Sequence, residues 1–237
     1  MTEMIRVDTA TRGSLVERAM DMVRDYIETH DLKVGDTLPG EGSFAAELGV
    51  SRPVMREAFG ALAALRLVDV GNGRKPRVGA IDGSVMAASM GHAVNTAQVS
   101  LAHVWEVRRT LELRTAELAA QNRSEEQARA ILSAAHGLSV EHDEEARTNA
   151  DTLFHQTIAA ASGNPLFYQI VRSFEQLMAA AIPKAWSGRT TAEEREETLA
   201  LHREVAEAIA ARSPERARAA MESHFASSIG EMLRDQV

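Results

Sequence analysis

Glu41-Gly42-Ser43-Phe44-Ala45-Ala46-Glu47-Leu48-Gly49-Val50-Ser51-Arg52-Pro53-Val54-Met55-Arg56-Glu57-Ala58 is the stretch on which the fold turns. Glu41 to Leu48 read as a short helix, and Gly49 can take the left-handed conformation that ends one. Ser51 then stands at an N-cap, and Pro53 is tolerated in the first turn, where its missing N–H has no partner to lose. Val54, Ala58, Leu62 and Leu65 recur at helical spacing and give the second helix a buried stripe. Two helices joined by a tight turn make a helix-turn-helix. Arg52 and Arg56 lie one turn apart, on the face opposed to most of that stripe. A guanidinium placed there can make two parallel hydrogen bonds to guanine O6 and N7 in a major groove. The plainer alternative is a surface ion pair with Glu57 or Glu47.

Upstream, Leu15, Ala19, Val23 and Ile27 mark another helix, ended before Gly35 and Pro39. Downstream, Leu67-Val68-Asp69-Val70 and Arg77-Val78-Gly79 flank Gly71-Asn72-Gly73, and the Asn-Gly step predicts a β-hairpin. Arg74, Lys75 and Arg77 would form a wing whose cations suit phosphates, while its glycines let the backbone approach a groove. The chain carries a net charge of −8. Yet between positions 52 and 77, Arg52, Arg56, Arg66, Arg74, Lys75 and Arg77 are opposed only by Glu57 and Asp69. Such a basic stretch on an acidic protein fits a nucleic-acid footprint, or a solvated helix face and loop.

After about Ile81 everything reads as helix: 82–97, 100–122, 124–141, 144–162, 165–185, 191–212 and 214–235. Ser124 with Gln127 fits a capping box, and Asn164-Pro165 a helix start. The change of architecture near residue 80 predicts two domains, 1–79 and 80–237, within the 237 residues. Aromatic residues are only 4% of the chain, which suits helices better than sheets. Cys is absent, so disulfides, thiolate metal sites and a cysteine nucleophile are excluded. No apolar run approaches the roughly 18 residues of a membrane span. The N-terminus lacks a basic start followed by an apolar stretch, so no signal peptide is expected and the location is expected to be cytoplasmic.

Among eight histidines, three stand out beside one aspartate. Asp151 and His155 are one helical turn apart on the same face. His202 and His224 lie on the last two helices, at equal offsets on either side of Ser213. In an antiparallel pair, equal offsets bring two residues to the same height, and a neighbouring helix could add Asp151 and His155. Three imidazoles and a carboxylate suit a borderline divalent ion, zinc first and nickel second. Spacing alone leaves the alternative of hydrogen-bonded core or surface histidines open. His30, His92, His103, His136 and His142 have no partners at useful spacing and read as structural or surface residues. Trp105 and Trp186 read as core or pocket wall.

Leu38-Pro39-Gly40-Glu41, Leu48-Gly49-Val50-Ser51-Arg52 and Arg56-Glu57-Ala58 together resemble the winged helix of the GntR family of bacterial transcription regulators, over residues 12–79. The resemblance implies that Arg52 and Arg56 read DNA and that the wing around Gly73 enters the minor groove. It departs at Gly40, where the family usually has Ser or Ala, at Gly42, often basic, and at Arg66, commonly Gly. Arg66 would then be an extra phosphate contact or a solvated side chain. Val104 to Glu112, Asp151 to His155 with Ser162-Gly163-Asn164-Pro165, Leu201-His202 and Ser223-His224 resemble the FCD domain of the FadR-type subfamily, over roughly 82–235. The expected fold is therefore mainly α: a winged helix-turn-helix followed by an all-helical antiparallel bundle. The resemblance implies a metal held by Asp151, His155, His202 and His224. It also implies Arg108 facing the same cavity, where it could pair with an effector carboxylate. An intrahelical pair of Arg108 with Glu112 or Glu106 is the alternative.

No His-Glu-x-x-His, Glu-x-x-His, Gly-x-Ser-x-Gly or phosphate-loop pattern occurs, so an enzyme is not expected. The reading that follows is a homodimeric repressor on a near-palindromic double-stranded operator, controlled by a small carboxylate metabolite bound near the metal. Residues 79–100 would couple the two halves. Two alternatives stand beside it: a constitutive DNA-binding protein with a structural metal, and a metal-dependent hydrolase fused to a DNA anchor.

Overall fold

A computed structural model describes residues 9–71, 73–140, 143–189 and 191–227. The chain divides into two compact units after Val85. The first holds helices α1 (Thr9–Thr29), α2 (Glu41–Leu48) and α3 (Arg52–Ala64), then strands β1 (Val68–Asp69) and β2 (Arg77–Val78). Its core packs Ala19 and Val23 of α1 against Phe44, Met55, Phe59, Leu62 and Val68. Gly49 ends α2 with φ 69°, and its N–H bonds the Ala45 carbonyl, which is the left-handed stop expected there. Ser51 is the N-cap of α3 by position, but its hydroxyl makes no capping bond.

β1 and β2 pair antiparallel, with Val68 opposite Val78 and Asp69 opposite Arg77. The wing has a third edge that the hairpin pattern did not announce. Gly35 N–H bonds Val78 O at 2.9 Å, Val78 N–H bonds Asp36 O at 2.9 Å, and Leu38 N–H bonds Pro76 O at 2.8 Å. The run before α2 is thus stitched to the wing. Asn72, the centre of the expected turn, lies outside the described residues. Gly79 has no room for a side chain: a Cβ there would sit 2.3 Å from the Arg66 carbonyl oxygen.

The unit boundary falls after Val85 rather than after Gly79, and Arg66 supplies a reason. Its Nε lies 3.3 Å from Asp82 Oδ2 and 3.3 Å from Ser84 Oγ, tying the residues beyond the wing to the head. Arg66 does this from φ 60°, a left-handed backbone where glycine would be cheaper. The side chain remains 56% exposed, paired with Asp82 at the surface.

Helix α4 (Ser84–Asn95) spans the division, and α5 (Leu101–Asn122), α6 (Glu125–Val140), α7 (Glu144–Ala161), α8 (Pro165–Ser173), α9 (Glu175–Ser187), α10 (Ala192–Ala210) and α11 (Pro214–Ser227) form the second unit. The α11 helix packs on α5 and α10, while α6 packs on α7 and α10, and α5 on α7. Trp105, Leu113, Phe154, Ile158, Phe174, Ile209, Met221 and Phe225 belong to one buried cluster. The Ser124–Gln127 capping box forms, with Gln127 N–H to Ser124 Oγ at 3.1 Å and Ser124 N–H to Gln127 Oε1 at 2.8 Å. The single helix expected over 165–185 is instead two. Phe174 turns tightly, its N–H reaching back three residues to Val171 O at 3.2 Å, as its ring enters the core. Residues 228–235 of the last expected helix lie outside the described residues.

Arg123 closes the bundle at one end. Its side chain is buried, its Nε donates to Ile209 O, and its Nη2 donates to Ala210 O. These are the last carbonyls of α10, beyond the reach of its regular helical bonds, and Ile209 O also accepts from Arg212 N–H at 3.1 Å.

Candidate metal centre and DNA-reading surface

On the head, Arg52 and Arg56 both project to the surface. The Arg56 side chain is 74% exposed, with only a loose pair to Glu41 at 3.6 Å. Glu41 is thus a surface partner of Arg56. The Arg52 guanidinium lies over Gly42, at ordinary contact distance, 3.7 Å, from where a Cβ would stand. On the wing, the cations divide. Arg74 Nη2 makes hydrogen bonds of 3.0 and 3.1 Å to the two Asp69 oxygens. Arg77 Nη1 donates to Gly35 O at 2.8 Å, holding the third wing edge. Lys75 and Gly73 are exposed, and Gly73 has φ 73°.

In the bundle, α7 carries Asp151 and His155 one turn apart, α10 carries His202 and α11 carries His224. All four are buried. The structure brings the three imidazoles together, with one ligating atom from each within 4.8 Å of the others. Ring centroids of His202 and His224 are 4.3 Å apart, and those of His155 and His224 are 5.1 Å apart. Asp151 joins them, its Oδ1 lying 3.2 Å from His202 Nε2 and its Oδ2 3.8 Å from His155 Nε2.

Proton positions follow from the partners. Thr198 O can only accept, so His202 Nδ1, 2.8 Å away, carries the hydrogen and Nε2 presents a lone pair. His202 Nε2 faces an Asp151 oxygen at 3.2 Å, so either a ring proton or a shared cation lies between the two atoms. His155 Nδ1 bonds the Glu112 carboxylate, again leaving Nε2 as the free nitrogen. Among the described residues, His155 Nε2 and His224 Nδ1 are buried with no hydrogen-bond partner. Burial, with the positive charge of His202 and His155, pushes the His224 pKa well below its usual value, which keeps its ring neutral. Burial pushes the Asp151 carboxyl up, but its hydrogen bond with His202 and the charges of His155, His202 and Arg108 outweigh this and hold it well below the usual carboxylate range. Two buried imidazole nitrogens without partners, on His155 and His224, stand beside an ionised carboxylate, and such lone pairs are what a divalent ion takes up. The donor set therefore fits a borderline metal.

The cavity beside these groups is about 20 Å³ and is walled by Trp105, Arg108, Ile182, Trp186, Arg189 and Thr198 together with the four metal candidates. Arg108 does line it, but its Nε donates to Glu112 Oε1 at 2.5 Å. The intrahelical pair and the cavity position thus coexist. Two further residues emerge that sequence reasoning did not place in the site. Glu112, fully buried, stood only as an ion-pair partner; its signal was a charged residue in the same helical stripe as Val104 and Arg108. Arg189 follows a helix break and gave no signal. Its Nε bonds Thr198 Oγ1 at 2.5 Å, and its guanidinium carbon lies 5.4 Å from the Trp186 ring centre.

A small head with exposed guanidiniums on its second turn-helix, joined in one chain to a helical bundle with a buried imidazole cluster, defines a DNA-binding regulator with a separate second domain. Residues 15–78 match the gntR family of bacterial regulatory proteins, and residues 103–227 match the FCD domain. The chain belongs to the gntR family of transcription regulators, in the group that carries an FCD domain, and it is a regulator rather than an enzyme. It is 27% identical over 220 residues to the HTH-type transcriptional repressor NanR of Salmonella newport, covering 91% of this chain and 84% of that one. NanR of Salmonella arizonae aligns equally, at 27% identity over 91% of this chain and 83% of that protein. The fold is shared with a solved GntR structure from Streptococcus agalactiae, with TM-score 0.64 and 24% identity over 90% of this chain and 98% of that one. Among the described residues, no helix is long and apolar enough to cross a membrane.

Proposed function

We propose that the protein is a ligand-responsive repressor that binds a near-palindromic DNA operator as a homodimer and is controlled by a small carboxylate metabolite near a bound divalent metal. The observation that carries the reading is the convergence of three buried imidazoles, two of them with unpartnered nitrogens, on an ionised Asp151. His155, His202, His224 and Asp151 would hold the ion, zinc before nickel. A bound ion would supply a Lewis-acidic centre for a carboxylate oxygen. Arg108, with one of five guanidinium donors committed to Glu112, has others for an anion. Similarity to the transcriptional repressor NanR favours repression. A two-fold dimer matches the symmetry of a palindromic site.

On the head, Arg52 and Arg56 would read bases, while Ser51, Lys75 and the backbone at Gly73 would meet phosphates or the minor groove. Arg74 and Arg77 would contribute charge from positions already fixed by Asp69 and Gly35. A second reading, a structural metal without an effector, is favoured by the cavity's size: about 20 Å³ admits one water-sized body and no metabolite. One experiment separates the two. Elemental analysis of unstripped protein establishes the metal, and a thermal-shift screen of carboxylic and sugar acids, with and without chelator, seeks the effector. A hit that vanishes on chelation and shifts operator affinity supports the regulatory reading. Stoichiometric metal with no such hit supports the structural one, and absence of metal refutes both.

A further inference from the structure

Glu112 joins two groups that the proposed function uses separately. It sits on α5 one turn after Arg108, and it is fully buried, as are Arg108 and His155 on either side of it. Its two oxygens are divided: Oε1 accepts from Arg108 Nε at 2.5 Å, and Oε2 accepts from His155 Nδ1. We propose that Glu112 is a positioning residue that links the anion-binding guanidinium to the metal ligand His155, so that occupancy of either site alters affinity at the other. The inference rests on the metal reading above and deepens it by giving Glu112 the role of coupling Arg108 to the metal ligand His155.

The physical chain has three steps. A carboxylate can only accept, so Glu112 fixes the hydrogen on His155 Nδ1 and turns the Nε2 lone pair toward His202 and His224. A carboxylate behind an imidazole also makes that imidazole a stronger donor to an ion. Finally, Glu112 serves Arg108 and His155 with a single negative charge. An anion that draws Arg108 toward itself leaves more of that charge on His155, which strengthens Nε2 as a ligand. Linkage requires the converse: a bound ion that draws on His155 leaves Arg108 more available to an anion. A carboxylate present only to neutralise Arg108 would have no effect on metal affinity beyond its charge.

The test uses the full-length protein and zinc ion alone, titrated against a chromogenic chelator. Glu112→Gln, which turns a donating NH2 toward one of the two donors that now meet separate oxygens, should weaken zinc binding about 10–100-fold. That variant leaves Arg108 unpaired in the core, so two others guard against a folding failure. Glu112→Asp keeps the charge but is too short to span both partners, and Arg108→Gln/Glu112→Gln removes both charges; each should also bind zinc at least about tenfold more weakly. Arg108→Gln alone should tighten zinc binding, and should do so less when combined with Glu112→Gln. Imidazole nitrogen NMR of the zinc-free protein supplies a readout independent of metal: His155 carries Nδ1–H in the wild type and loses that preference in Glu112→Gln. Zinc affinities within about twofold of wild type in both Glu112→Asp and the double variant would overturn the proposal. If the wild type binds no zinc, the metal reading fails separately, and an unchanged His155 tautomer in Glu112→Gln then overturns the positioning role as well.

Discussion

Replacing His202 by alanine removes two buried polar contacts and one proposed metal ligand together, and the structure separates their costs. His202 is 1% exposed. Its Nδ1–H bonds Thr198 O at 2.8 Å, and its Nε2 meets Asp151 Oδ1 at 3.2 Å. Without metal, His202→Ala leaves the buried Asp151 carboxylate short of a partner, a loss of about 1–3 kcal/mol. Metal adds a larger difference. At free zinc about 1,000 times the dissociation constant, a site absent from the unfolded chain stabilises the fold by about 4 kcal/mol. At about 2–4 °C per kcal/mol for a chain of this size, zinc should raise the wild-type bundle's Tm by about 8–16 °C. Scanning calorimetry of both proteins, in chelator and in excess zinc, measures each part. The wild type should show the full rise, whereas His202→Ala should melt lower in chelator and gain at most a few degrees from zinc. An equal rise in both proteins would put the ion elsewhere. No rise in either would refute the inference from bare imidazole nitrogens to a metal site.

Arg56→Ala should weaken binding to an operator selected from random duplexes by about 1–3 kcal/mol and relax preference at one base position; unchanged affinity and selectivity in a gel-shift titration would remove Arg56 from the reading surface. Arg123→Ala should cost about 2–4 kcal/mol in urea unfolding of the zinc-free protein, because two terminal carbonyls of α10 lose a buried guanidinium. A change under about 0.5 kcal/mol would mean that water replaces it fully. Gly79→Ala places a Cβ 2.3 Å from the Arg66 carbonyl oxygen, so the head should lose a few kcal/mol, about 1–3 by the usual cost of overpacking, and operator binding should fall with it. Native stability of the head by hydrogen exchange checks this.

Local chemistry made much of this fold legible. Gly49, Ser124-Gln127 and Asn164-Pro165 each satisfy helix-end groups with residues adjacent in sequence, and the structure puts helix ends at all three. Asp151 and His155 share a helix, so their common face needed only the helical period. Harder to read were contacts made by distant backbone. The third wing edge pairs Gly35 and Asp36 with Val78, and no residue type encodes such a pairing. Phe174 interrupts a long helical pattern without Gly or Pro, because burial of its ring outweighs one helical hydrogen bond. The wing cations show a different gap. Their sequence shows charge but not commitment, and Arg77 turns out to hold Gly35 rather than to wait unpaired. Glu112 is the most instructive miss. Paired charges one turn apart on a helix usually indicate a solvated surface, and only the apolar neighbours Val104 and Leu113 marked that face as buried.

The size of the cavity bears on how such a bundle could regulate anything. A metabolite with even a few carbons needs a site of about 300 Å³ or more, while the space beside the imidazoles is about 20 Å³. A water-sized body fits there; a carboxylate with a carbon skeleton does not. Its entry must therefore part side chains contributed by α5, α7, α9, α10 and α11, among them Trp105 and Trp186, each 8% exposed. Those rings belong to the same buried cluster as Met221 and Phe225 on α11, so displacing them is a change in the core and not a local adjustment. Close-packed interiors pass such strain on to the elements they join. A ligand that can bind only by parting core side chains from five helices has, by that fact, different affinities for two arrangements of the bundle. That difference is the thermodynamic requirement for shifting one arrangement toward the other. The tight cavity that favours a structural metal at first sight is, on this argument, equally the property expected of a sensor at rest. The two readings then divide on whether any carboxylate opens the core: hydrogen exchange on α5 and α11 should accelerate or redistribute on ligand addition in a sensor and remain unchanged around a purely structural ion.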